Sequence, residues 1–392
     1  MSARAILAVA LLAAGFGQAW GTEAQFERPA YAGAYEPQGV DERGLWMELD
    51  DHERGFRDSP LVVQDEELTR YIKGVLCKTV GQDRCAATRI YVVQDNIFNA
   101  TMAPNGLMVI NTGLLARVHS EAELATILGH EFAHFELRHS LNKFKKRRTG
   151  SDILMWLSLS GAAVGQNVGA VAESAFVTGL AGFNREQEQQ SDLLSADYIR
   201  ASSYPLRASV VWKRLMEEDD ALREERKQRK IRRFTPGATD THPTNLQRFA
   251  YFSEIEAQPG AIDGDDGAAA YRDATARVLP TLFGSLVKGN EFAAADYVIQ
   301  SRAQALGWDG LLLHARGELY RLRGNPRDLV TARQFYEQAI ATGSAPAEAW
   351  RGAGLTAMRG GDSAAGKAAL QEYLVRSPQA ADAAAMKMLL EN

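Results

Sequence analysis

At 392 residues the chain is long enough for two or three domains, each able to bury a core of its own. A hydrophobic fraction of 46%, a charged fraction of 24% and a net charge of -5 are ordinary for a globular protein. They leave no basic footprint, which excludes nucleic acid as the expected partner.

The chain opens Met1-Ser2-Ala3-Arg4, continues with an uncharged apolar run over 5–16, and reaches small residues at Ala19 and Gly21. This pattern predicts a secretory signal peptide over 1–21, because the run is shorter than the roughly 20 residues of a spanning helix. Residues 22–60 are rich in Gly, Pro, Tyr and acidic groups without a sustained period, and read as an extended N-terminal arm. The first folded domain is expected over 61–257. It starts with a helical pattern at 66–77. The only cysteines, Cys77 and Cys85, suit one short-loop disulfide, and with the export signal they point to an oxidising compartment such as a bacterial periplasm. Two β-rich runs follow, Ile90-Tyr91-Val92-Val93 and Leu107-Met108-Val109-Ile110, the second after the turn signal Pro104-Asn105-Gly106. They predict a small sheet.

Ser120 with Glu123 three residues on marks a capping-box start for a helix bearing Leu124, Ile127 and Leu128. A basic run (Lys143, Lys145, Lys146, Arg147, Arg148) and an uncharged stretch over 153–172 come next. That stretch has the length of a membrane span. It also contains Ser158, Ser160, Gln166 and Asn167, and a span there would part the two halves of the site described below. A helical hairpin or lid over 153–182, with at most peripheral membrane contact, is the expectation.

Residues 258–270 form a Gly- and Asp-rich linker. Beyond it, 271–392 is Ala- and Leu-rich with helical period, and Gly284, Gly317 and Gly354 recur at spacings of 33 and 37 residues. Trp350, Gly354, Gly366, Leu370 and Pro378 fit one tetratricopeptide unit of about 34 residues. Stacked helix pairs of this kind leave a concave groove suited to protein or peptide binding. The fold class predicted is mainly α: an α+β domain with a small sheet, then an all-α tetratricopeptide-like solenoid.

The chemistry centres on His130-Glu131-Phe132-Ala133-His134. Residues four apart share a helix face, so His130 and His134 can present two imidazoles to one zinc ion with Glu131 beside them as general base. The extended form of this motif needs a glycine and a histidine where Leu137 and Ser140 stand, and is excluded. His139, five past His134, turns off the ligand face and reads as a surface or supporting group. The third ligand is expected from a second helix, where Glu188 and Asp192 lie four apart. Glu188 would bind the metal and Asp192 would hold the far nitrogen of one histidine.

This pairing resembles the zinc metallopeptidase family that takes in the HtpX proteins, the CAAX prenyl proteases and the BepA-like enzymes. Asn99-Ala100, the run 106–111 leading into Gly113-Leu114-Leu115, and Thr241-His242-Pro243 with Arg248 add to the likeness, which covers roughly 65–255. Gln190 stands where many members carry Glu. The resemblance implies a zinc endopeptidase with one Zn2+ per chain, acting on protein or peptide substrates. It also implies that Leu107, Met108, Val109 and Ile110 hold substrate backbone as an added strand. His242 and Arg248 would donate to the oxyanion formed at the scissile carbonyl; alternatively His242 takes the fourth zinc position and holds the site closed. An exported chain with helical repeats resembles the BepA-like branch, which implies clients and partners in outer-membrane protein assembly. The rival expectation is a chaperone or scaffold working through the repeats, with a largely closed metal site.

Overall fold

The structure is a computed structural model, described over residues 33–148, 183, 185–229 and 244–391. The expected signal peptide, the uncharged stretch 153–172 and His242 lie outside these residues. The described part is mainly helical with one small sheet.

Helix α1 (Gly39–Arg57) buries Leu45, Leu49 and Phe56 against Val62, Val93, Ala103, Leu107 and Val109. This corrects the extended arm expected across 22–60. Leu45, Leu49 and Phe56 recur at intervals of four and seven, one helical face, but the charged residues between them hide the period in a short apolar count. Helix α2 (Glu66–Val80) starts at Asp65, whose carboxylate accepts from Leu68 N at 2.9 Å, and sends Ile72, Val75 and Leu76 inward. The single turn α3 (Gln82–Cys85) folds the chain back so that Cys77 and Cys85 form a disulfide.

Strands β1 (Arg89–Val93), β2 (Ala100–Met102) and β3 (Leu107–Asn111) form a sheet of order β1-β3-β2. β1 runs parallel to β3 with Tyr91 opposite Val109, and β2 antiparallel to it with Thr101 opposite Val109. The expectation that 107–110 offers an edge to substrate is therefore overturned. β3 is the central strand, both its edges are occupied, and all five of its residues are buried. The outer edge of β1 is partly covered too, since Val63 N donates to Val92 O and Gln94 N to Leu61 O, each at 2.8 Å. That leaves β2. Asn111 N donates to Asn99 O and Ala103 N to Leu107 O, so residues 99, 101 and 103 turn their backbone groups to β3. By alternation those of Ala100 and Met102 face the other way.

Helix α4 (Thr112–Arg117) leads to α5 (Glu121–Glu136), which crosses the middle of the fold buried on nearly every side. Ser120 Oγ accepts from Glu123 N at 3.2 Å as the capping signal predicts, while the Glu123 carboxylate takes His119 N at 2.7 Å. Helices α6 (His139–Arg148), α7 (Arg185–Ala201), α8 (Ser209–Glu225) and α9 (Asn245–Glu256) complete this part of the molecule. α7 packs directly on α5: Ser195 Oγ donates to Thr126 O at 2.8 Å, and a Cβ at Gly129 would lie 2.8 Å from that same Oγ.

From 268 onward come α10 (Ala268–Ala276), α11 (Leu279–Lys288), α12 (Phe292–Leu306), α13 (Gly310–Arg323), α14 (Asp328–Ala341), α15 (Glu348–Arg359), α16 (Ser363–Arg376) and α17 (Ala383–Glu391). Sequence neighbours pack on one another, α13 on α14 and α15 on α16 most extensively. A Cβ at Gly317 would fall 2.7 Å from the Tyr336 ring, so the glycine lets these helices close around it. The stretch 258–270 is tied to the first domain, with Ala122 N donating to Asp266 O at 3.0 Å and Leu206 N to Ala261 O at 2.7 Å. Tyr271 Oη donates to Leu115 O at 2.6 Å. Among the described residues no helix is long and apolar enough to cross a membrane.

Leu49 is fully buried between α1 and the sheet, so Leu49→Ala should lower the free energy of unfolding by about 3 kcal/mol in chemical denaturation. A loss under 0.5 kcal/mol would show that α1 does not dock as described.

Candidate metal centre

One turn of α5 separates His130 from His134, and their rings meet edge-on at 77° with the two Nε2 atoms 3.1 Å apart. The packing of α7 on α5 delivers Glu188 to the same point. Its Oε2 lies 3.5 Å from His130 Nε2 and its Oε1 lies 3.5 Å from His134 Nε2. The three groups are buried, Glu188 with no exposed surface at all, and their ligand atoms fall within 4.8 Å of one another. Two imidazole nitrogens and a carboxylate converging in a buried space fit a zinc-like cation, which takes such ligands at about 2 Å and leaves a catalytic position open. A buried carboxylate also needs a positive partner for its charge to be tolerated.

The far side of each imidazole is held as well. His130 Nδ1 sits 2.7 Å from Asp192 Oδ1, the placement expected of Asp192. Burial opposes protonation of His130, but the Asp192 carboxylate outweighs it and holds the imidazole at about 9. His134 behaves oppositely: burial and the neighbouring His130 push its pKa well below the usual range.

Asp192 is itself surrounded by donors. Arg248 Nε donates to Oδ2 at 2.9 Å and Arg248 Nη2 to Oδ1, while Tyr251 Oη donates to Oδ2. The guanidinium carbon lies over Trp212, 3.7 Å from the ring centroid, and Trp212 meets Phe98 edge-on. Arg248, expected as an oxyanion donor, lines the cleft with its Nε and Nη2 committed to Asp192. His134 is stacked on Phe183, ring centroids 3.9 Å apart, and its Nδ1 lies 2.9 Å from His139 Nδ1.

These groups open into a cleft of about 750 Å³ lined by His130, Glu131 and His134, by Ala100 and Thr101 of β2, and by Glu291 and Ala294 near the start of α12. Sequence reasoning missed Tyr251, Trp212 and Phe183. Tyr251 was within reach of it, since it lies three residues past Arg248 on one helix face. Trp212 and Phe183 have no fixed spacing to the motif, and only the fold brings them there.

Residues 63–256 match the model of Peptidase family M48. This stretch, which holds His130, Glu131, His134, Glu188, Asp192 and Arg248, is an M48 peptidase domain, and the class that fold and site define is a metallopeptidase. Among curated proteins, the Beta-barrel assembly-enhancing protease of Escherichia coli (strain K12) is 24% identical over 172 residues, covering 41% of this chain and 35% of the relative. The mitochondrial metalloendopeptidase OMA1 of Schizosaccharomyces pombe is 26% identical over 150 residues, covering 38% and 44%. The human mitochondrial metalloendopeptidase OMA1 is 35% identical over 106 residues, covering 25% and 18%. The alignable part is thus about a third of the length of the first of these relatives.

Removing Asp192 would free His130 and strand the buried Arg248 charge. Asp192→Ala should weaken metal binding about 10–100-fold in chelator competition. It should also destabilise the fold by on the order of 3 kcal/mol. Wild-type metal affinity in this variant would contradict the orienting role of Asp192.

Proposed function

We propose that this protein is an exported zinc endopeptidase that hydrolyses peptide bonds in unfolded or misassembled envelope proteins. The observation that supports it most is the convergence of His130, His134 and Glu188, with Glu131 beside them, in a cleft lined by an edge strand. A zinc ion held by the three ligands would polarise the scissile carbonyl and bring the pKa of water down to about 7. Glu131 then accepts the proton of the attacking water and returns it to the leaving amine. Asp192 fixes the tautomer and orientation of His130, and Arg248 and Tyr251 fix Asp192. His242 or Arg248 is assigned the oxyanion donor; alternatively His242 is a capping ligand that substrate displaces.

The substrate backbone would lie along β2, whose Ala100 and Met102 groups face away from β3, because backbone pairing tolerates many side chains. Endopeptidase action on poorly folded clients follows from that tolerance. The helices from 268 on are proposed as tetratricopeptide-like pairs that recruit clients or a partner of the outer-membrane assembly machinery. The likeness to the Beta-barrel assembly-enhancing protease supports that setting, and the signal-peptide pattern over 1–21 with the Cys77–Cys85 pair supports a periplasmic location.

Replacing Glu131 by Gln separates binding from chemistry. The variant should retain one zinc per chain while casein cleavage falls at least a hundredfold, within the range of about 10²–10⁴ for loss of a general base. Undiminished cleavage would remove Glu131 from the mechanism, and wild-type protein lacking stoichiometric zinc would remove the metal.

A further inference from the structure

We propose that His139 is a positioning residue for His134, so that each ligand imidazole has its own orienting partner: the Asp192 carboxylate for His130 and the neutral His139 ring for His134. This rests on the metal-site reading above.

On a continuous helix a residue five past His134 would point away from it. The chain avoids this by ending α5 between the two. Leu137 N donates to Ala133 O, Arg138 N donates to Phe135 O, and Arg138 takes φ +57, the left-handed conformation that closes a helix. Such a conformation is uncommon outside glycine, and the Arg138 guanidinium lies over the Tyr35 ring, 4.4 Å from its centroid. α6 then begins at His139, and its ring comes back to within 2.9 Å of His134, nitrogen to nitrogen.

Two Nδ1 atoms at hydrogen-bond distance require one proton between them. An imidazole that ligates through Nε2 carries its proton on Nδ1, so His134 donates and His139 Nδ1 accepts, leaving the His139 proton on Nε2. The surroundings hold His139 in this role. It is 5% exposed, its ring is 5.8 Å from Phe183, and Ser191 Oγ of α7 lies 3.4 Å from the same Nδ1. The Phe183 ring that stacks on His134 also flanks His139, so the two imidazoles are fixed as a pair.

The test compares near-isosteric replacements. His139→Asn keeps a carbonyl oxygen as acceptor, and His139→Leu fills a similar volume without one. Zinc affinity is measured on the full chain by competition with a chromophoric chelator, with circular dichroism and melting of the metal-free proteins recorded alongside. The Leu variant should bind zinc about 10–100-fold more weakly and the Asn variant within about threefold of wild type, both with unchanged metal-free melting. If the Leu variant does not fold, His139→Gln, whose carbonyl sits one bond further out, takes its place with the same expected loss. Equal weakening in the Asn and Leu variants, or none in either, overturns the acceptor role. His134→Ala tells this failure from failure of the underlying site: it should abolish tight binding, and if it leaves zinc bound as in wild type, the metal-site reading itself falls.

Discussion

A carboxylate with no contact with water, facing two imidazoles, is the constraint on which the rest of this molecule turns. Glu188 is wholly buried, and an uncompensated buried charge would cost more than the folded state can bear. The site resolves this with a pocket shaped for a cation. The close approach of α7 to α5 at Gly129 sets Glu188 against the histidines, and Ser195 on Thr126 O fixes the register of the two helices. Asp192 brings a second negative charge behind His130, and that charge is in turn matched by Arg248 and Tyr251. The Asp192 and Arg248 charges are thus paired with each other, which is the condition for buried charges of this kind to be tolerated.

That network also determines what must be rigid around it. α9 matters because Arg248 and Tyr251 lie on one face of it, and α8 because Trp212 supplies the surface on which the guanidinium rests. The β-sheet matters for its edge. With β3 enclosed and the far edge of β1 partly covered, β2 alone meets the cleft, next to the helix that bears the histidines.

The helices from 268 on are joined to this scaffold through buried contacts. Tyr271 reaches Leu115 O, and the buried Arg302 reaches Thr275 Oγ1 at 2.6 Å. Exposed ion pairs such as Arg226 with Glu291 add little by comparison. Because Glu291 and Ala294 line the cleft that holds the histidines, the helical region forms part of the wall around the metal centre.

Much of the ligand set was legible in the sequence because helix periodicity fixes local geometry: residues four apart share a face whatever surrounds them, so His130 with His134 followed from spacing, and Glu188 with Asp192 from the same spacing once set beside that histidine pair. The disulfide and the capped start of α5 were equally local. Three features were not. α1 is a helix because the sheet and α6 offer its Leu45, Leu49 and Phe56 face a place to bury, and a charged sequence does not reveal that partner. The resemblance gave β3 the substrate edge, but strand order is a property of the sheet, and it placed β2 outside. His139 was left between a surface and a supporting role by the rule that succeeded for His134, since a uniform helix turns it away. A left-handed residue at Arg138 breaks that uniformity. Local spacing thus determined which groups can ligand a metal, while long-range packing and chain breaks decided which groups hold those ligands and which strand meets the cleft.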